Sequence, residues 1–400
     1  MFTAAILVVT VSTAAVAAGF GEARSRTVAA ALVVLQTPSL LLLAPHLPVP
    51  EAGLLGLHAL VAVYIVSIVW ARPRPRWFWW LVTQPAAWFS VGAILAVPWA
   101  LITLVGYPPP TPWLPWLLSG WGLLQSLVPR RSVVAVPLDG RDLGAQVARM
   151  RPGSTSPASR PLRIVQITDP HLGPFMSASR LQRICRRALA AEPDLILLTG
   201  DFLTMETNAA PDMLAEGLAP LRQAAGRVFA CRGNHDLEAP EAVQHGLGAA
   251  SVRLLVDELA RVDTPAGSVE ILGIDYRSHG RAEHIAAVCS QHPRSPSALR
   301  LVLLHDPSAF SLIPPGQTDL VLAGHTHGGQ IGLWSLGAPW TLGRALFAMP
   351  DHGLWSRGTD RLYVHRGTGH YGFPLRVGVP AEESVLELDP AANPTWRQTR

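Results

Sequence analysis

The second half of the chain repeats a pattern that few folds can accommodate, because strand-length apolar runs alternate there with stretches of helical periodicity. The apolar runs lie at 162–167, 194–199, 227–231, 269–274, 299–304, 319–323, 361–365 and 383–388. In the intervening stretch 178–191, the apolar residues fall on one face of a helix. This alternation predicts an α/β domain of about 230 residues that begins near residue 162.

Polar side chains of the kinds that bind metals follow five of these runs directly. They are Asp169 and His171 after the first run, Asp201 after the second, Asn234, His235 and Asp236 after the third, His305 after the fifth, and His325 and His327 after the sixth. The carboxyl ends of strands are where α/β proteins usually gather their ligands. A capping aspartate or a surface histidine explains any one of these positions, whereas one shared metal site explains all five groups.

The first half of the chain is apolar in long blocks. Blocks without Asp, Glu, Lys or Arg lie at 2–20, 28–45, 52–71, 78–106 and 113–128. Each of the first four approaches the ~20 residues that cross a bilayer, so we expect a transmembrane α-helical region of four to five spans over residues 1–130. A cleavable signal peptide is the alternative for 1–20, but no basic residues precede that block and further blocks follow it.

The distribution of charge bears on partners and on topology. The formal net charge is +4, and residues 1–135 hold seven arginines against Glu22 and Glu51, so they contribute +5 and the remainder −1. A nucleic-acid surface on the second half is therefore not expected. The apolar blocks predict a multi-pass protein of the cell (inner) membrane. By the positive-inside rule, the second half of the chain is cytoplasmic if there are five spans and extracytoplasmic if there are four.

A proline- and serine-rich stretch at 150–161 separates the two halves and has no periodicity. We therefore predict a linker at 131–161 between the membrane region 1–130 and a domain at 162–390, with a tail at 391–400. The three cysteines, Cys185, Cys231 and Cys289, are scattered and form no Cys-x-x-Cys pair. They predict neither a disulfide framework nor a zinc ribbon, and we expect them to be small buried hydrophobes.

The ligand-bearing motifs read Asp169-x-His171, Gly200-Asp201, Gly233-Asn234-His235-Asp236, His305 and Gly324-His325-Thr326-His327. Their order and spacing resemble the calcineurin-like metallophosphoesterases over about residues 162–388. The Gly-Gly-Gln that follows His327 and the apolar first half are similar to the bacterial membrane-associated branch of that superfamily. The resemblance implies a four-layer α/β/β/α sandwich. It also implies two divalent ions as cofactors.

The resemblance further implies roles for individual residues. Asp169, His171 and His327 would hold one ion, Asn234, His305 and His325 the other, and Asp201 would bridge them. Mixed carboxylate, amide and imidazole donors suit Mn²⁺, Fe or Zn²⁺, and Ca²⁺ would be unusual. His235 would protonate the leaving group or steady the phosphoryl oxygens, while Asp236 either orients His235 or caps a helix. Asn234, His235 and His370 are candidates for substrate contact, although His370 could instead be a surface histidine.

These features together predict a membrane-anchored, dinuclear-metal phosphoesterase. Two ions ~3.5–4 Å apart would activate a bridging hydroxide for attack on a phosphodiester or pyrophosphate. Some enzymes of the resembled branch hydrolyse UDP-2,3-diacylglucosamine, so a lipid-linked pyrophosphate substrate and contact with membrane lipids are expected. The alternatives are a soluble-substrate phosphodiesterase or phosphatase and a catalytically silent metal-binding sensor or scaffold. A transporter is not favoured, because the apolar blocks lack charged residues.

Overall fold

The computed structural model describes residues 1–20, 36–69, 74–153, 160–204, 207–208, 210–370 and 376–389. Outside these residues lie parts of the predicted blocks 28–45 and 52–71, residues 154–159 of the predicted linker and the whole tail 391–400. The chain divides into two compact units. The first consists of Met1–Leu127, Met205–Ala209 and Gly372–Val377, and the second consists of the remainder.

The first unit is helical. Its helices are Phe2–Phe20, residues 36–43, Glu51–Val69, Arg76–Leu95, Val97–Leu104 and Leu114–Leu127. Prolines mark several helix starts, as Pro75 does directly before Arg76, where its fixed φ and missing N–H carry no penalty. Apolar side chains of successive helices form one buried cluster that includes Leu40, Val61 and Phe89.

A small polar network is enclosed among these apolar helices. The His58 Nε2 atom lies 3.0 Å from Thr10 Oγ1, and Thr10 Oγ1 lies 3.0 Å from Thr37 Oγ1. The Ser90 hydroxyl donates to Gln36 Oε1 at 2.9 Å. Because these groups satisfy one another, they join the helices without leaving a buried charge.

Among the described residues, one helix, Arg76–Leu95, is long and apolar enough to cross a membrane by length and composition. In the helices Phe2–Phe20 and Glu51–Val69, the apolar stretches are Phe2–Ala14 and Glu51–Ser67, which are shorter than a usual span. The block at 113–128 forms the helix Leu114–Leu127, which has 14 residues. The four to five spans and the multi-pass topology therefore stay a prediction.

The second unit contains two stacked β-sheets. The described strands are β1 Arg130–Val136, β2 Ala148–Arg149, β3 Leu162–Ile167, β4 Leu195–Leu198, β5 Val228–Ala230, β6 Arg253–Leu254, β7 Glu258–Thr264, β8 Gly267–Ile274, β9 Leu299–Leu304, β10 Leu320–Ala323, β11 Gly353–Arg357, β12 Asp360–Val364 and β13 Glu382–Leu388. Their order is β1-β13-β3-β4-β5-β6 in one sheet and β2-β11-β12-β10-β9-β8-β7 in the other. All eight apolar runs expected from the sequence are strands.

Helices cover the outer faces of both sheets. They are Ala178–Ala190, Pro211–Leu218, Pro240–Ala249 and Arg281–Gln291, whereas the short helix Leu342–Phe347 has no buried residue. One buried cluster joins the inner faces of the two sheets, as Leu197 and Leu303 illustrate. A second cluster lies between the first sheet and its helices, and a third between the second sheet and Arg281–Gln291. The layers are thus α/β/β/α, and all three cysteines are buried.

The segment 131–161, expected to be a linker, contains two of these strands. β1 pairs in parallel with β13 from Arg130↔Glu382 to Val136↔Leu388, and β2 pairs with β11 through Trp355↔Arg149. β1 is an edge strand whose first residues are exposed, so it needs no continuous apolar run. The proline- and serine-rich composition therefore marks only the later part of this segment.

Candidate metal centre

The ligand-type residues come from the carboxyl ends of five strands that belong to both sheets. In the first sheet β3, β4 and β5 are parallel neighbours, and in the second sheet β9 and β10 are parallel neighbours. The ends of the two sheets meet here, because His325 N–H, just after β10, donates to the Asp169 carboxylate, just after β3, at 3.1 Å. One site is therefore built from two sheets rather than along one sheet edge.

Two groups of side chains could each hold a cation. Asp169, His171 and His327 form one group, and Asp201, His305 and His325 form the other. Within each group the potential ligand atoms all lie within 4.8 Å of one another. The structure thus brings six of the seven predicted ligands together, with Asp169, His171 and His327 apart from His305 and His325. Which ion each would hold, and the bridging role of Asp201, stay a prediction.

Asp201 stands between the two groups. Its Oδ2 atom lies 3.1 Å from His305 Nε2 and 3.7 Å from His171 Nε2, and these histidines belong to different groups. Its Oδ1 atom accepts the backbone N–H of His235 at 2.9 Å. A carboxylate in this position can bridge two cations while the same loop contact fixes its orientation.

The seventh predicted ligand, Asn234, follows β5. Its Oδ1 atom is buried, and no residue in the described part of the chain donates a hydrogen bond to it. A buried amide oxygen without a donor is energetically unfavourable unless another positive partner is bound. The residues present therefore fit a divalent ion, although the number and identity of the ions stay a prediction.

The imidazole of His305 is oriented as metal-bound histidines usually are. Its Nδ1–H donates to the carbonyl oxygen of Thr199 at 2.6 Å, which directs Nε2 toward Asp201. Thr199 is the last residue before the Gly200-Asp201 motif. The same loop therefore supplies one ligand through a side chain and orients another through its backbone.

Backbone strain is concentrated at the predicted ligands. Positive φ angles occur at Asp169 (51°), His171 (45°), Asp201 (57°), His325 (69°) and His327 (48°). Residues with a side chain seldom adopt this region, and each such residue costs about 1–3 kcal/mol. Five of seven predicted ligands in this conformation indicate that the surrounding fold holds them in place for a purpose other than stability.

Two glycines leave the room that the carboxylates occupy. A Cβ atom on Gly233 would collide with Asp201 Oδ1, and one on Gly324 would collide with Asp169 Oδ2 and Thr168 Oγ1. The glycines of the two motifs are therefore required by close approach rather than by loop flexibility alone.

Burial and mutual proximity shift the pKa values of these groups. Burial alone would lower the pKa of His305, but Asp201 beside it raises that pKa to about 10. Burial would raise the pKa of Asp201, but His305 and then His171 hold it well below its ordinary value. Burial raises the pKa of Asp169 to about 6 and lowers that of His171 to about 3. The buried carboxylates thus require positive charge nearby, which divalent cations would supply.

His235 is buried beside the first group, with its ring centroid 5.4 Å from that of His171. The carboxylate that contacts its Nδ1 atom is Glu238, at 3.1 Å, and not Asp236. Glu238 follows His235 by one turn of the 3₁₀-helix Asp236–Glu238, so this i,i+3 spacing was a signal that the sequence interpretation missed.

Asp236 has a different position from either of those predicted. Its Oδ2 atom accepts the backbone N–H groups of Asp201 and Gly233, each at 2.7 Å, and its Oδ1 atom accepts that of Phe202 at 2.8 Å. These contacts join the loop after β4 to the loop after β5. Asp236 therefore neither orients His235 nor caps a regular helix, and the prediction of a direct catalytic role is corrected to one of loop positioning.

His370 is buried, so the interpretation as a surface histidine is wrong. Its ring centroid lies 4.7 Å from that of Phe175, and the neighbouring Gly369 N–H donates to the Asp169 carbonyl at 3.0 Å. The backbone contact brings the 367–370 segment against a predicted ligand. Contact between His370 and substrate stays a prediction.

Tyr276 is a residue near the site that the sequence interpretation passed over. Its ring centroid lies 6.4 Å from that of His305 and 6.5 Å from that of His325. It follows the fourth apolar run, after which no ligand was expected. An aromatic residue two positions beyond a strand end was the available signal.

The comparisons with known proteins agree with this architecture. A family model described as calcineurin-like phosphoesterase matches residues 162–329. The chain is 30% identical over 239 residues to phosphodiesterase YaeI of Escherichia coli (strain K12), covering 57% of this chain and 82% of that protein. It is 31% identical over 242 residues to the uncharacterized metallophosphoesterase YkoQ of Bacillus subtilis (strain 168), covering 58% and 85%.

A eukaryotic relative is also similar. The transmembrane protein with metallophosphoesterase domain of Bos taurus is 30% identical over 258 residues, covering 59% of this chain and 54% of that protein. The chain belongs to the calcineurin-like phosphoesterase family. It is accordingly a metal-dependent hydrolase of phosphoric esters.

Proposed function

We propose that this protein is a membrane-anchored phosphoesterase that uses two divalent ions, Mn²⁺, Fe or Zn²⁺. It would hydrolyse a phosphodiester or pyrophosphate bond, and its substrate would be lipid-linked, for example UDP-2,3-diacylglucosamine. The observation that carries the proposal is the position of Asp201 Oδ2 between His305 Nε2 at 3.1 Å and His171 Nε2 at 3.7 Å. One shared carboxylate between two ligand groups is the arrangement that a pair of hydrolytic metal ions requires.

The chain's own residues would divide the work as follows. Asp169, His171 and His327 would bind one ion, Asn234, His305 and His325 the other, with Asp201 shared. Bound ions would supply an activated water and would neutralise charge on the phosphoryl oxygens. Asp236 and Thr199 hold the ligand loops in place through the contacts described above.

His235 would act on the substrate side of the site. With Nδ1–H donating to Glu238, the imidazole can transfer a proton at Nε2, so it would protonate the leaving oxygen. Asn234 and His370 would contact the phosphoryl group or the portion of substrate beyond it. Proton transfer by a positioned histidine typically contributes about 10²–10⁴-fold to turnover.

Membrane association is supported by the helix Arg76–Leu95 and by the charge-free blocks of residues 1–130. We infer that 1–130 forms a region of four to five spans in the cell membrane. The hydrolase domain, predicted at 162–390 and followed by the tail 391–400, would also include β1 and β2. The side of the membrane on which the hydrolase domain lies would follow from the number of spans.

The decisive experiment uses the full chain in detergent with added Mn²⁺. Hydrolysis of bis(p-nitrophenyl) phosphate and of UDP-2,3-diacylglucosamine is compared for the wild type and for His235→Ala. We expect the variant to lose about 10²–10⁴-fold in turnover while its bound metal, measured by mass spectrometry, is unchanged. His245→Ala is the matched control, because that histidine is exposed on the helix Pro240–Ala249.

The results separate the alternatives. Hydrolysis of the simple diester without hydrolysis of the lipid substrate would indicate a soluble-substrate phosphodiesterase, a possibility that the name of the Escherichia coli relative supports. A protein that binds both metals and hydrolyses neither compound would contradict the proposal and would indicate a metal-binding scaffold.

A further inference from the structure

The segment that follows the His325–His327 turn, residues 331–348, presents large apolar side chains to solvent. These are Leu333, Leu336, Trp340, Leu342, Leu346 and Phe347, which we call the 333–347 surface. Leu336 is 76% exposed and Phe347 71% exposed. So many large apolar side chains in one short segment are unusual on a surface that faces only water, and they mark a contact surface.

The exposure does not arise from an unfolded loop. Leu333 N–H donates to the Trp340 carbonyl at 2.9 Å, and Leu342 N–H donates to the Ile331 carbonyl at 2.8 Å. Thr341, between these partners, is fully buried. Backbone pairing therefore holds the apolar side chains outward in a fixed arrangement.

The segment is also packed directly on the ligand turn. The backbones of Gly343 and Gly329 approach so closely that a Cβ on Gly343 would lie 2.7 Å from Gly329 Cα. Gly329 follows His327 by two residues. A partner that contacts the 333–347 surface would therefore lie next to the candidate metal centre.

The charges of this region indicate what kind of partner fits. Arg344 is exposed and is the only charged residue in 331–348, so the segment has no carboxylate. Arg130 adds a second exposed guanidinium, which lies 5.8 Å from the ring centroid of Trp334. Apolar side chains, tryptophans and two exposed arginines match an interface with anionic lipid headgroups.

The position of Arg130 in the chain gives an independent indication. It stands two residues after the apolar block 113–128, which is free of charge. The sequence thus leads from a block expected in or on a membrane directly to one of these two exposed arginines. A lipid bilayer is the partner consistent with both observations.

We propose that the 333–347 surface lies in the headgroup region of an anionic bilayer and presents the metal centre to a phosphoester carried by that bilayer. The substrate class is then an amphipathic phosphoester whose phosphate lies at the headgroup plane. The substrate part of this inference rests on the proposed function, whereas the docking part does not.

Fluorescent probes on the full chain test the docking directly. Leu336→Cys and Phe347→Cys are each labelled with an NBD fluorophore; the native cysteines are buried and should remain unlabelled. The proteins are reconstituted into phosphatidylethanolamine–phosphatidylglycerol vesicles (7:3). We expect blue-shifted emission and quenching by lipids that carry a quencher on the upper acyl chain. Gln244→Cys, on an exposed position of the helix Pro240–Ala249, is the control and should remain in water.

Two results would overturn the docking. In the first, the NBD emission wavelengths at positions 336 and 347 match the wavelength at 244, and the lipid quencher does not reduce the fluorescence at any of the three positions. In the second, both positions are shielded from water in an amphipol preparation without lipid, and the shielding disappears when the protein is diluted. That result would assign the surface to contact with a second copy of the chain.

Activity measurements test the consequence for substrate. In the double variant Leu346→Glu, Phe347→Glu, kcat/KM for UDP-2,3-diacylglucosamine embedded in the same vesicles should fall about tenfold or more. The loss of apolar contact and the added negative charge both oppose docking to the bilayer. Its turnover of soluble bis(p-nitrophenyl) phosphate should be unchanged. Leu143→Glu, a matched change at another exposed leucine, should alter neither activity.

The outcomes distinguish the two proposals. An equal loss on both substrates, or no loss on the vesicle substrate, would contradict the inference about presentation. If the wild type does not hydrolyse the soluble diester at all, the proposed function fails, while the NBD measurements still decide whether the surface docks.

Discussion

Buried polar groups serve different purposes in the two units of this protein. In the helical unit, Thr10, Gln36 and His58 form neutral contacts that satisfy one another. In the α/β unit, buried carboxylates such as Asp169 and Asp201 lie among imidazoles on backbone with positive φ. The first arrangement joins helices at little cost, whereas the second is unfavourable until cations bind. The contrast separates polar groups that stabilise a fold from those that the fold must hold in place.

Removing the shared carboxylate should have the largest effect. Asp201→Asn halves the ligand capacity of the residue between the two groups and removes its charge, so kcat/KM should fall about 10³-fold or more. Bound metal, measured by mass spectrometry, should fall as well. An Asp201→Asn protein with near-normal turnover would show that the two ligand groups act separately, and the comparison between the units would lose its basis.

The residues of the candidate centre were predictable because each follows a strand-length apolar run. Asp201 and His305, for example, lie three residues and one residue beyond the ends of β4 and β9 respectively. A sequence shows that such a residue stands at a strand end, and the parallel order of strands then brings the ends together. That two sheets contribute was implied by the family resemblance and not by the runs themselves.

The partners within the centre were less predictable. Asp236 and Glu238 are both acidic and both close to His235 in sequence, and only the packed loop decides which one contacts the imidazole. Edge strands were missed for a related reason. β7 is exposed along one face and β1 at its start, so neither forms an unbroken apolar run.

Substitutions at Asp236 and Glu238 should separate the stability of the ligand loops from the catalytic role of His235. Asp236→Asn replaces one acceptor oxygen by an NH₂ group that faces backbone N–H donors, so the free energy of unfolding should fall by about 2–3 kcal/mol. The measurement is native-state hydrogen exchange of the amides of Asp201 and Phe202. Glu238→Gln is the matched control, because it should lower turnover through His235 while leaving these amides protected. Equal protection in both variants would contradict the loop-positioning role.

Glu382 provides a charged buried group outside the centre. Burial would raise its pKa, but Arg366, His365 and the Tyr363 hydroxyl outweigh burial and lower the pKa to about 2. A depressed carboxyl pKa adds stability that is complete above its ordinary value of 4.5 and disappears as pH falls toward the folded value. Glu382→Gln should therefore destabilise the β13 amides by about 2–4 kcal/mol at pH 7.

The pH dependence is the sharper part of that prediction. The difference in hydrogen-exchange protection between wild type and Glu382→Gln should be constant from pH 8 to 5 and should narrow below about pH 4.5. Glu387→Gln, on the same strand but partly exposed, is the control and should show little difference at any pH. A difference for Glu382→Gln that is independent of pH would mean that its charge does not stabilise the sheet.

The smallest effect should come from the helical unit. The Ser90 hydroxyl donates to Gln36 Oε1 at 2.9 Å, and its loss leaves a neutral acceptor in an apolar surrounding, so Ser90→Ala should destabilise the helices by about 1 kcal/mol. The measurement is the midpoint of thermal unfolding in detergent, compared with Ser67→Ala, whose hydroxyl donates within its own helix to the Tyr64 carbonyl. Turnover of a soluble phosphodiester should be unchanged in both variants, because neutral, satisfied contacts of this kind do not reach the chemistry. A large loss of turnover in Ser90→Ala with intact thermal stability would break the distinction between the two units and would assign the buried network a functional role.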